Sequence, residues 1–358
     1  MNIESAMSVK TKKLTLSYEP LILTTAHPFG ISYGTSSTSS NILVRLHYGE
    51  LVGFGEASPT RYHDETPETA SALFKLWSES DILGDDPFAI EAVLKRLDKS
   101  VSGNRSAKAA IDMALHDLVG KLLGRSLVDI FGYRDLPAPI TDFTIGIDSA
   151  ETVELKTKEA LKAGYKHLKV KQGTGYDREI IDTIRALAPD IPIRVDANGA
   201  WTVKEAISKA HYLAEQNVEF IEQPLPKYAP LSDWQVLREA SPLPIYADES
   251  VSTSFDVARL ADFVDGVVVK LAKTGGLAEA RRVIHTARAH NLKIMFGCMI
   301  ESSLGITAAA HLAPLVDHLD LDGALLLADD PFEGAAYDDG YLKIDYSLPG
   351  LGVLPRKV

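Results

Sequence analysis

The pattern of apolar and polar positions changes near residue 130. From "APITDFTIG" onward, short β-rich runs alternate with segments of helical periodicity such as "TVKEAISKAHYLAEQ". Strands that alternate with helices indicate βαβ units and a parallel sheet. Eight such runs predict an α/β fold, a closed (β/α)8-type barrel, over residues 131–325. The runs are "ITDFTIG", "HLKVK", "IPIRVDAN", "EFIEQP", "IYADES", "GVVVKLA", "KIMFGC" and "HLDLDG".

Residues 1–130 have a different pattern, which predicts an N-terminal α+β domain. "NILVRLHYGELVGFGEA" (41–57) reads as a β-hairpin around a turn-prone "YGE". Three helical stretches follow, and "NRSAKAAIDMALHDLVGKLLG" is the clearest, with one apolar stripe and Gly124 at its end. Residues 326–358, rich in Gly, Pro and Asp, are too long for a barrel strand, so we expect them to fold back onto this domain.

Composition narrows the classes of partner. The chain has 37 Lys and Arg against 49 Asp and Glu, a formal net charge of −12, and no dense basic run. This argues against nucleic-acid and anionic-membrane partners and favours small molecules. A single cysteine, Cys298, excludes an intramolecular disulfide and favours the cytoplasm. The start, "MNIESAMSVKTKKLTLSYEPLIL", predicts neither a signal peptide nor a membrane span. The composition is compatible with a homo-oligomer and with a monomer.

The run "HLKVKQG" puts Lys169 and Lys171 on one face of a strand, because side chains alternate. An exposed polar face would be the ordinary explanation. In a closed barrel, however, Leu168 and Val170 pack against the helices, so both lysines must point inward near the carboxyl end of the strands, where barrel enzymes have their active sites. Buried lysines need anionic partners.

Three carboxylates supply that partner. Asp196, Glu222 and Asp248 end three successive apolar runs, each 26 residues after the one before. A single acid at a strand end is most often a helix cap, but three in register would repel one another unless a cation lay between them. Oxygen ligands without nearby histidine or cysteine suit a hard ion, and Mg²⁺ is the first choice.

The next strand ends in Lys270, so lysines flank the acids on both sides. A carboxylate bound to the metal next to a carbon acid can form an enediolate. Lys171 and Lys270 would remove and return the α-proton on opposite faces, which inverts the α-carbon. Lys169 beside Lys171 would draw the pKa of that base toward neutrality.

The segments "KVK", "DAN", "EQP", "ADES" and "KLAKTGG" resemble the enolase superfamily, in the subgroup of muconate lactonising enzymes and dipeptide epimerases such as L-Ala-D/L-Glu epimerases. The resemblance covers nearly the whole chain. It implies that the first domain caps the barrel, with the C-terminal segment completing the cap, and that lysine bases act with Mg²⁺.

The eighth run, "HLDLDG", narrows the substrate. Asp320 and Asp322 alternate with leucines and share a face, away from the proposed metal. An Asp-x-Asp here resembles the dipeptide epimerases, where it implies binding of the N-terminal ammonium group of a dipeptide. The α-carbon of the C-terminal residue would then lie between Lys171 and Lys270.

Other strand ends are candidate contacts. By position, the family implies that three of them line the substrate pocket: Thr144, Cys298 and Met299. Asn198 and Glu249 are expected to contact the metal ligands rather than the metal. Glu301 is an additional acid whose role the sequence does not assign.

The cap loops should set side-chain preference. The first cap loop has no basic residue for an acidic substrate side chain, since no Lys or Arg lies between Leu14 and Val44. In the next loop, Arg61 or His63 could take that role. Apolar residues of the first loop favour a small or apolar C-terminal residue over an acidic one. They are Phe29, Ile31 and Tyr33.

The same lysines and metal would also serve a cycloisomerase, an o-succinylbenzoate synthase or an N-acylamino-acid racemase. Asp320 and Asp322 argue against these, because their substrates lack the ammonium group. A Schiff-base aldolase would need one lysine but not three acids. The non-enzymatic alternative is a ligand-binding protein on an inactive barrel.

Overall fold

The structure is a computed structural model that describes residues 13–357. Residues 1–12, the first part of the segment predicted to be neither a signal peptide nor a membrane span, therefore lie outside the described residues. A three-stranded antiparallel sheet, ordered β1-β2-β3, begins the cap. It comprises β1 (Thr15–Ile31), β2 (Gly34–Tyr48) and β3 (Leu51–Ala57).

Strands β2 and β3 confirm the hairpin predicted over residues 41–57, and Gly49 makes its turn with a φ of 62°. The first cap loop expected from the sequence, "AHPFGISYGTSSTSS" (26–40), is instead the far end of the β1–β2 hairpin. An irregularity between Thr24 and Phe29 shifts the register there, which lets the tip of this hairpin project over the barrel.

The cap helices are α1 (Pro67–Ser78), α2 (Ile90–Ser100), α3 (Arg105–Leu123) and α4 (Leu127–Phe131). Helix α3 ends at Gly124 as expected, with a φ of 62°. Its single apolar stripe is a wrong prediction, since every residue from Ser106 to Gly120 is buried. Helix α3 packs closely on the sheet, where a Cβ on Gly55 would lie 1.9 Å from the Ala110 carbonyl oxygen.

Eight parallel strands confirm the predicted barrel and follow one another in chain order around it. The Asp142 backbone N–H donates to the Leu319 carbonyl oxygen over 3.0 Å, which joins the first strand segment to the last. The strands are β4 (Phe143–Ile145), β5 (Leu168–Lys171), β6 (Ile193–Asp196), β7 (Val218–Glu222), β8 (Ile245–Ala247), β9 (Gly266–Val269), β10 (Lys293–Gly297) and β11 (His318–Asp320).

Helices cover the outside of the barrel, and the core lies between them and the strands. They are α5 (Ala150–Lys162), α6 (Asp177–Leu187), α7 (Val203–Glu215), α8 (Leu231–Ala240), α9 (Ser254–Leu260), α10 (Leu271–Thr274), α11 (Leu277–Ala289) and α12 (Ser303–Ala310). Across residues 13–357, every helix is too short or too polar to traverse a bilayer.

The C-terminal segment returns to the cap, as expected. Its Leu351 N–H donates to Asp117 of α3 over 2.9 Å, and the Phe332 ring contacts that of Phe54 in β3. The segment has four short strands, β12 (Phe332–Glu333), β13 (Ala336–Asp338), β14 (Tyr341–Lys343) and β15 (Leu354–Pro355). Short 3₁₀ helices occupy Arg61–His63, Ala313–Leu315 and Gly323–Leu326.

Two buried carboxylates of the cap bind the amino ends of barrel helices. Asp112 of α3 accepts from the backbone N–H of Leu277 at the start of α11. Glu56 of β3 accepts from the N–H and hydroxyl of Ser302, which caps the amino end of α12. Gly276 permits the first contact, because its φ is 112° and a Cβ there would lie 2.3 Å from Asp112. These contacts fix the cap on the barrel.

Candidate active site

The three acids of the sequence pattern converge at the carboxyl end of the barrel. Asp196 and Glu222 are the last residues of β6 and β7, and Asp248 follows β8 directly. All three are buried, and one carboxylate oxygen from each lies within 4.8 Å of the others. This oxygen-only set can hold a hard divalent cation.

Charge repulsion within the triad supports this fit. Burial and the neighbouring Asp196 raise the pKa of Glu222 well above its usual value. Asp248 and Asp196 behave oppositely: burial opposes ionisation, but the surrounding lysines outweigh it and lower both pKa values. A cation among the three oxygens would offset the repulsion that contributes to the raised pKa of Glu222.

Two lysines face each other across this end of the barrel. Lys171 ends β5, and its Nζ donates to Asp196 Oδ2 over 2.6 Å. Lys270 follows β9, and its Nζ donates to Asp248 Oδ2 over 2.6 Å. Because β5 and β9 are four strands apart in an eight-stranded barrel, the two ammonium groups lie on opposite sides of the acids.

Lys169 lies beneath Lys171 and is fully buried. Its Nζ lies 3.1 Å from Asp196, 2.7 Å from Glu222 and 2.8 Å from Asp320. Burial disfavours its charge, but the attraction of Asp320 and the other acids raises its pKa well above the usual value. Lys169 is therefore a fixed cation between the two acidic groups, and its effect on the pKa of Lys171 stays a prediction.

Lys273 also belongs to this group, although sequence reasoning did not single it out. From helix α10 its Nζ donates to Asp248 Oδ1 over 2.6 Å and to the Val268 carbonyl over 2.8 Å. The sequence pattern that could have identified it is "KLAKTGG", in which Lys273 follows Lys270 by three residues. In a helical turn this spacing places both side chains on one side. Lys273 holds one Asp248 oxygen while the other faces Lys270.

The structure brings Asp320, Asp322 and Thr144 together. The Thr144 hydroxyl donates to Asp320 Oδ1 over 3.0 Å, and the Thr144 N–H donates to Asp322 Oδ2 over 2.6 Å. Burial and the charge of Asp320 raise the pKa of Asp322 to about 7. This second acidic pair borders the same cavity as Lys171 and Lys270.

A cavity of about 330 Å³ lies between the barrel end and the cap. The rings of Tyr33 and Tyr62 stack in its wall with centroids 5.0 Å apart, and the Tyr62 hydroxyl donates to Met299 Sδ over 3.1 Å. Sequence reasoning missed Tyr62, because it lies in the loop segment "SPTRYHDETPE", which has no periodic pattern that would single it out. Of the candidate substrate contacts and apolar loop residues, the cavity is lined by Phe29, Ile31, Tyr33, Thr144, Cys298 and Met299.

Neither Arg61 nor His63 borders this cavity. Arg61 is exposed, and burial lowers the pKa of His63 to about 3, which leaves its imidazole neutral near pH 7. Among the described residues that line the cavity, the basic side chains are Lys171 and Lys270.

Asn198 contacts Asp196, and Glu249 contacts Asn198; a supporting role for both residues around the metal ligands stays a prediction. Asn198 donates its N–H to Asp196 Oδ1 over 2.9 Å and its side-chain amide to Glu249 over 3.2 Å. Glu301 belongs to the loop at residues 298–302, and its carboxylate accepts from the Met299 N–H over 3.0 Å. Burial and Glu56 raise the pKa of Glu301 to about 7.

Comparison with known proteins agrees with this geometry. Residues 19–132 match the mandelate racemase / muconate lactonizing enzyme N-terminal domain, and residues 152–357 match the enolase C-terminal domain-like family. An L-Ala-D/L-Glu epimerase of Bacteroides thetaiotaomicron is 40% identical over 96% of this chain and 88% of its own. An L-Ala-D/L-amino acid epimerase of Pedosphaera parvula is 37% identical over 96% of this chain and 99% of its own.

A solved structure extends the likeness to the fold. The dipeptide epimerase of Enterococcus faecalis, complexed with Mg and the dipeptide L-Leu-L-Tyr, superimposes with a TM-score of 0.89 at 32% identity. The match covers 95% of this chain and 99% of that one. With both domains matched in order and along nearly their whole length, the chain belongs to the mandelate racemase / muconate lactonizing enzyme family, whose barrel is enolase C-terminal domain-like.

Proposed function

We propose that this protein is a Mg²⁺-dependent dipeptide epimerase that inverts the α-carbon of the C-terminal residue. The observation that carries the proposal is the placement of Lys171 and Lys270 on opposite sides of the acidic triad, with a second acidic pair in the same cavity. The relatives named as epimerases support it, since they match both domains.

Asp196, Glu222 and Asp248 would hold the metal ion. When bound, Mg²⁺ supplies positive charge beside the substrate carboxylate, which acidifies the adjacent α-C–H bond. Lys273 and Asn198 orient the ligands, because each binds a carboxylate oxygen of Asp248 or Asp196.

Between them, Lys171 and Lys270 would remove one proton from the α-carbon and supply another. The lysine on one face takes the proton as a neutral amine, and the lysine on the other face returns a proton from its ammonium form. Since the two side chains approach from opposite sides, this 1,1-proton transfer inverts the carbon. Lys169, bound to three carboxylates, would keep its charge throughout.

Asp320 and Asp322 would bind the ammonium group of the N-terminal residue, with Thr144 fixing both carboxylates. Two buried acids opposite the metal give a substrate with charges at both ends a defined orientation. Cycloisomerase substrates lack that ammonium group and would leave the pair uncompensated.

Small or apolar C-terminal side chains would be favoured over acidic ones. Tyr33, Tyr62 and Met299 present rings and a thioether to the cavity. The two lysines that border it are already paired with Asp196 and Asp248, which argues against their use by an acidic side chain.

Exchange of the α-proton in D₂O tests the proposal. The protein with Mg²⁺ should introduce deuterium at the C-terminal α-carbon of L,L-dipeptides and form the L,D-diastereomer, as followed by NMR. The matched control is Lys158→Ala, an exposed lysine on α5, which should behave as the parent protein does. If no dipeptide in a representative set exchanges its α-proton, epimerisation is refuted.

We also infer a reducing, cytoplasmic location and a small-molecule partner. A lone cysteine and a net charge of −12 without basic runs support both, and leave nucleic acid and anionic membranes as poor partners. A homo-oligomeric state is a question for mass measurement in solution.

A further inference from the structure

A second cavity of about 290 Å³ lies beside the one that contains the two lysines. It is bounded by residues 26–29 of the hairpin tip, by β4 and α5 of the barrel, and by the 3₁₀ helix Gly323–Leu326. Three residues border both cavities and therefore separate them: Phe29, Thr144 and Leu326.

Thr144 places this second cavity next to the acidic pair. Its N–H binds Asp322 and its hydroxyl binds Asp320. In a dipeptide, the side chain of the N-terminal residue branches from the carbon that bears the ammonium group. An ammonium group held by these two acids would therefore put that side chain at the wall formed by Thr144 and its neighbours.

The walls of the second cavity are mainly hydrocarbon. Its charged side chains have partners: Lys156 binds Asp148 over 3.2 Å, and Glu159 lies 3.8 Å from the ring of His27, which also lines the cavity and is exposed like Glu159. The apolar residues that line it include Ala26, Pro28, Phe143, Ala160 and Leu325. An apolar side chain would be desolvated there without losing a hydrogen bond.

We propose that the second cavity receives the side chain of the N-terminal residue, and that the substrates are dipeptides with a bulky apolar N-terminal residue. This rests on the proposed epimerase function. Phe29 and Leu326, which border both cavities, are half-buried, so the wall between the cavities includes two side chains that are not fully packed. Each methylene buried in an apolar pocket raises kcat/KM by about fourfold. A dipeptide with an N-terminal leucine should therefore have a kcat/KM at least about tenfold above that of one with an N-terminal alanine.

The test compares kcat/KM for L-Leu-L-Ala and L-Ala-L-Ala with Mg²⁺ present. The parent protein should favour L-Leu-L-Ala by at least about tenfold. Ala160→Phe, which fills the cavity from α5, should bring the ratio near one. Leu155→Phe adds a ring on the exposed face of the same helix and should leave the ratio unchanged.

Ala163→Phe, at an exposed position on the rim, gives a second way to fill the cavity if Ala160→Phe does not fold. Equal kcat/KM values in the parent protein, or a ratio that neither filling variant lowers, would overturn the inference while epimerisation stands. Absence of turnover with both dipeptides and every other dipeptide would instead refute the proposed function.

Discussion

Lys169 donates its Nζ to Asp320 Oδ2 over 2.8 Å and so links the candidate metal centre to the acidic pair on the eighth strand. Asp320 is thereby provided with a cation and also accepts the Thr144 hydroxyl. Asp322 accepts the Thr144 N–H but pairs with no lysine in the described chain. Asp322 is therefore the member of the pair whose charge depends most on a bound ammonium group.

This asymmetry predicts a pH dependence of dipeptide binding. Burial and Asp320 raise the pKa of Asp322 to about 7, so its carboxylate becomes protonated as the pH falls below that value. A neutral carboxyl attracts an ammonium group less, and kcat/KM should fall by up to about tenfold per pH unit below 7. Above about 8 the free dipeptide loses its own charge, which gives a bell-shaped profile.

Steady-state kcat/KM values from pH 5.5 to 9 check this prediction. Asp322→Asn should lower kcat/KM at neutral pH and remove the decline assigned to Asp322. The same acidic decline in Asp322→Asn and the parent protein would assign it to another group.

The two lysines should be separable by the face they serve. Lys171→Ala and Lys270→Ala should each lower the rate of epimerisation by about 10²–10⁴-fold, the contribution expected of a positioned acid or base. Either variant still retains one lysine, so each should exchange deuterium into only one of the two diastereomers. NMR of L,L- and L,D-dipeptides incubated separately in D₂O measures this.

Equal exchange of both diastereomers by both variants would contradict the facial assignment. Loss of all exchange in one variant would mean that the missing lysine is required for more than one proton transfer.

Glu56 should stabilise the protein by joining the cap to the barrel. It is buried and accepts from Ser302, Gly305 and the Asn41 side chain. Glu56→Ala leaves those donors without an acceptor and should lower the free energy of unfolding by about 3 kcal/mol.

Urea denaturation followed by fluorescence measures the change. Glu50→Ala, at the exposed turn of the same β2–β3 hairpin, is the matched control and should change stability by less than about 0.5 kcal/mol. A loss in Glu56→Ala as small as in Glu50→Ala would show that the interface does not need this carboxylate.

His311 should make the protein less stable in acid. Its Nε2–H donates to the Leu351 carbonyl, whereas the buried Nδ1 has no acceptor for a second proton in the described structure. Burial lowers the pKa of His311 to about 4 from 6.5. Because the folded-state pKa is the lower one, this contribution is present above pH 6.5 and is lost as the pH falls to 4, by about 3 kcal/mol in total.

His311→Gln keeps a donor for the Leu351 carbonyl but does not titrate. The free energy of unfolding should therefore fall less between pH 6.5 and 4 in His311→Gln than in the parent protein. Parallel curves for the two proteins would show that His311 titrates alike when folded and unfolded.

The sequence carried enough information to predict the barrel and most of the candidate site. Strand periodicity fixed which residues end the strands, and side-chain alternation put Lys169 with Lys171 and Asp320 with Asp322 on common faces. Since parallel strands end at the same rim, local pattern sufficed to predict that these groups meet.

Features that depend on distant contacts were not predictable in this way. Helix α3 looks amphipathic, yet it is buried all round because the cap sheet covers one side and the barrel the other. Tyr62 gains its place through a ring stack with Tyr33 and a bond to Met299, residues far away in the chain. Strand β1 pairs with β2 across an irregular register that no short-range pattern encodes.

Asp112 and Glu56, which bind the amino ends of α11 and α12, divide the cap into two parts that should differ in their tolerance of substitutions. The base of the cap is hydrogen-bonded to α11 and α12, which follow strands β9 and β10 of the barrel. Substitutions there should therefore disturb the candidate active site. The hairpin tip at residues 26–36 lines the two cavities proposed to bind substrate but carries neither anchor. Grafting that tip alone from a relative should therefore transfer substrate preference, whereas exchanging whole caps would require the two anchors to be matched as well.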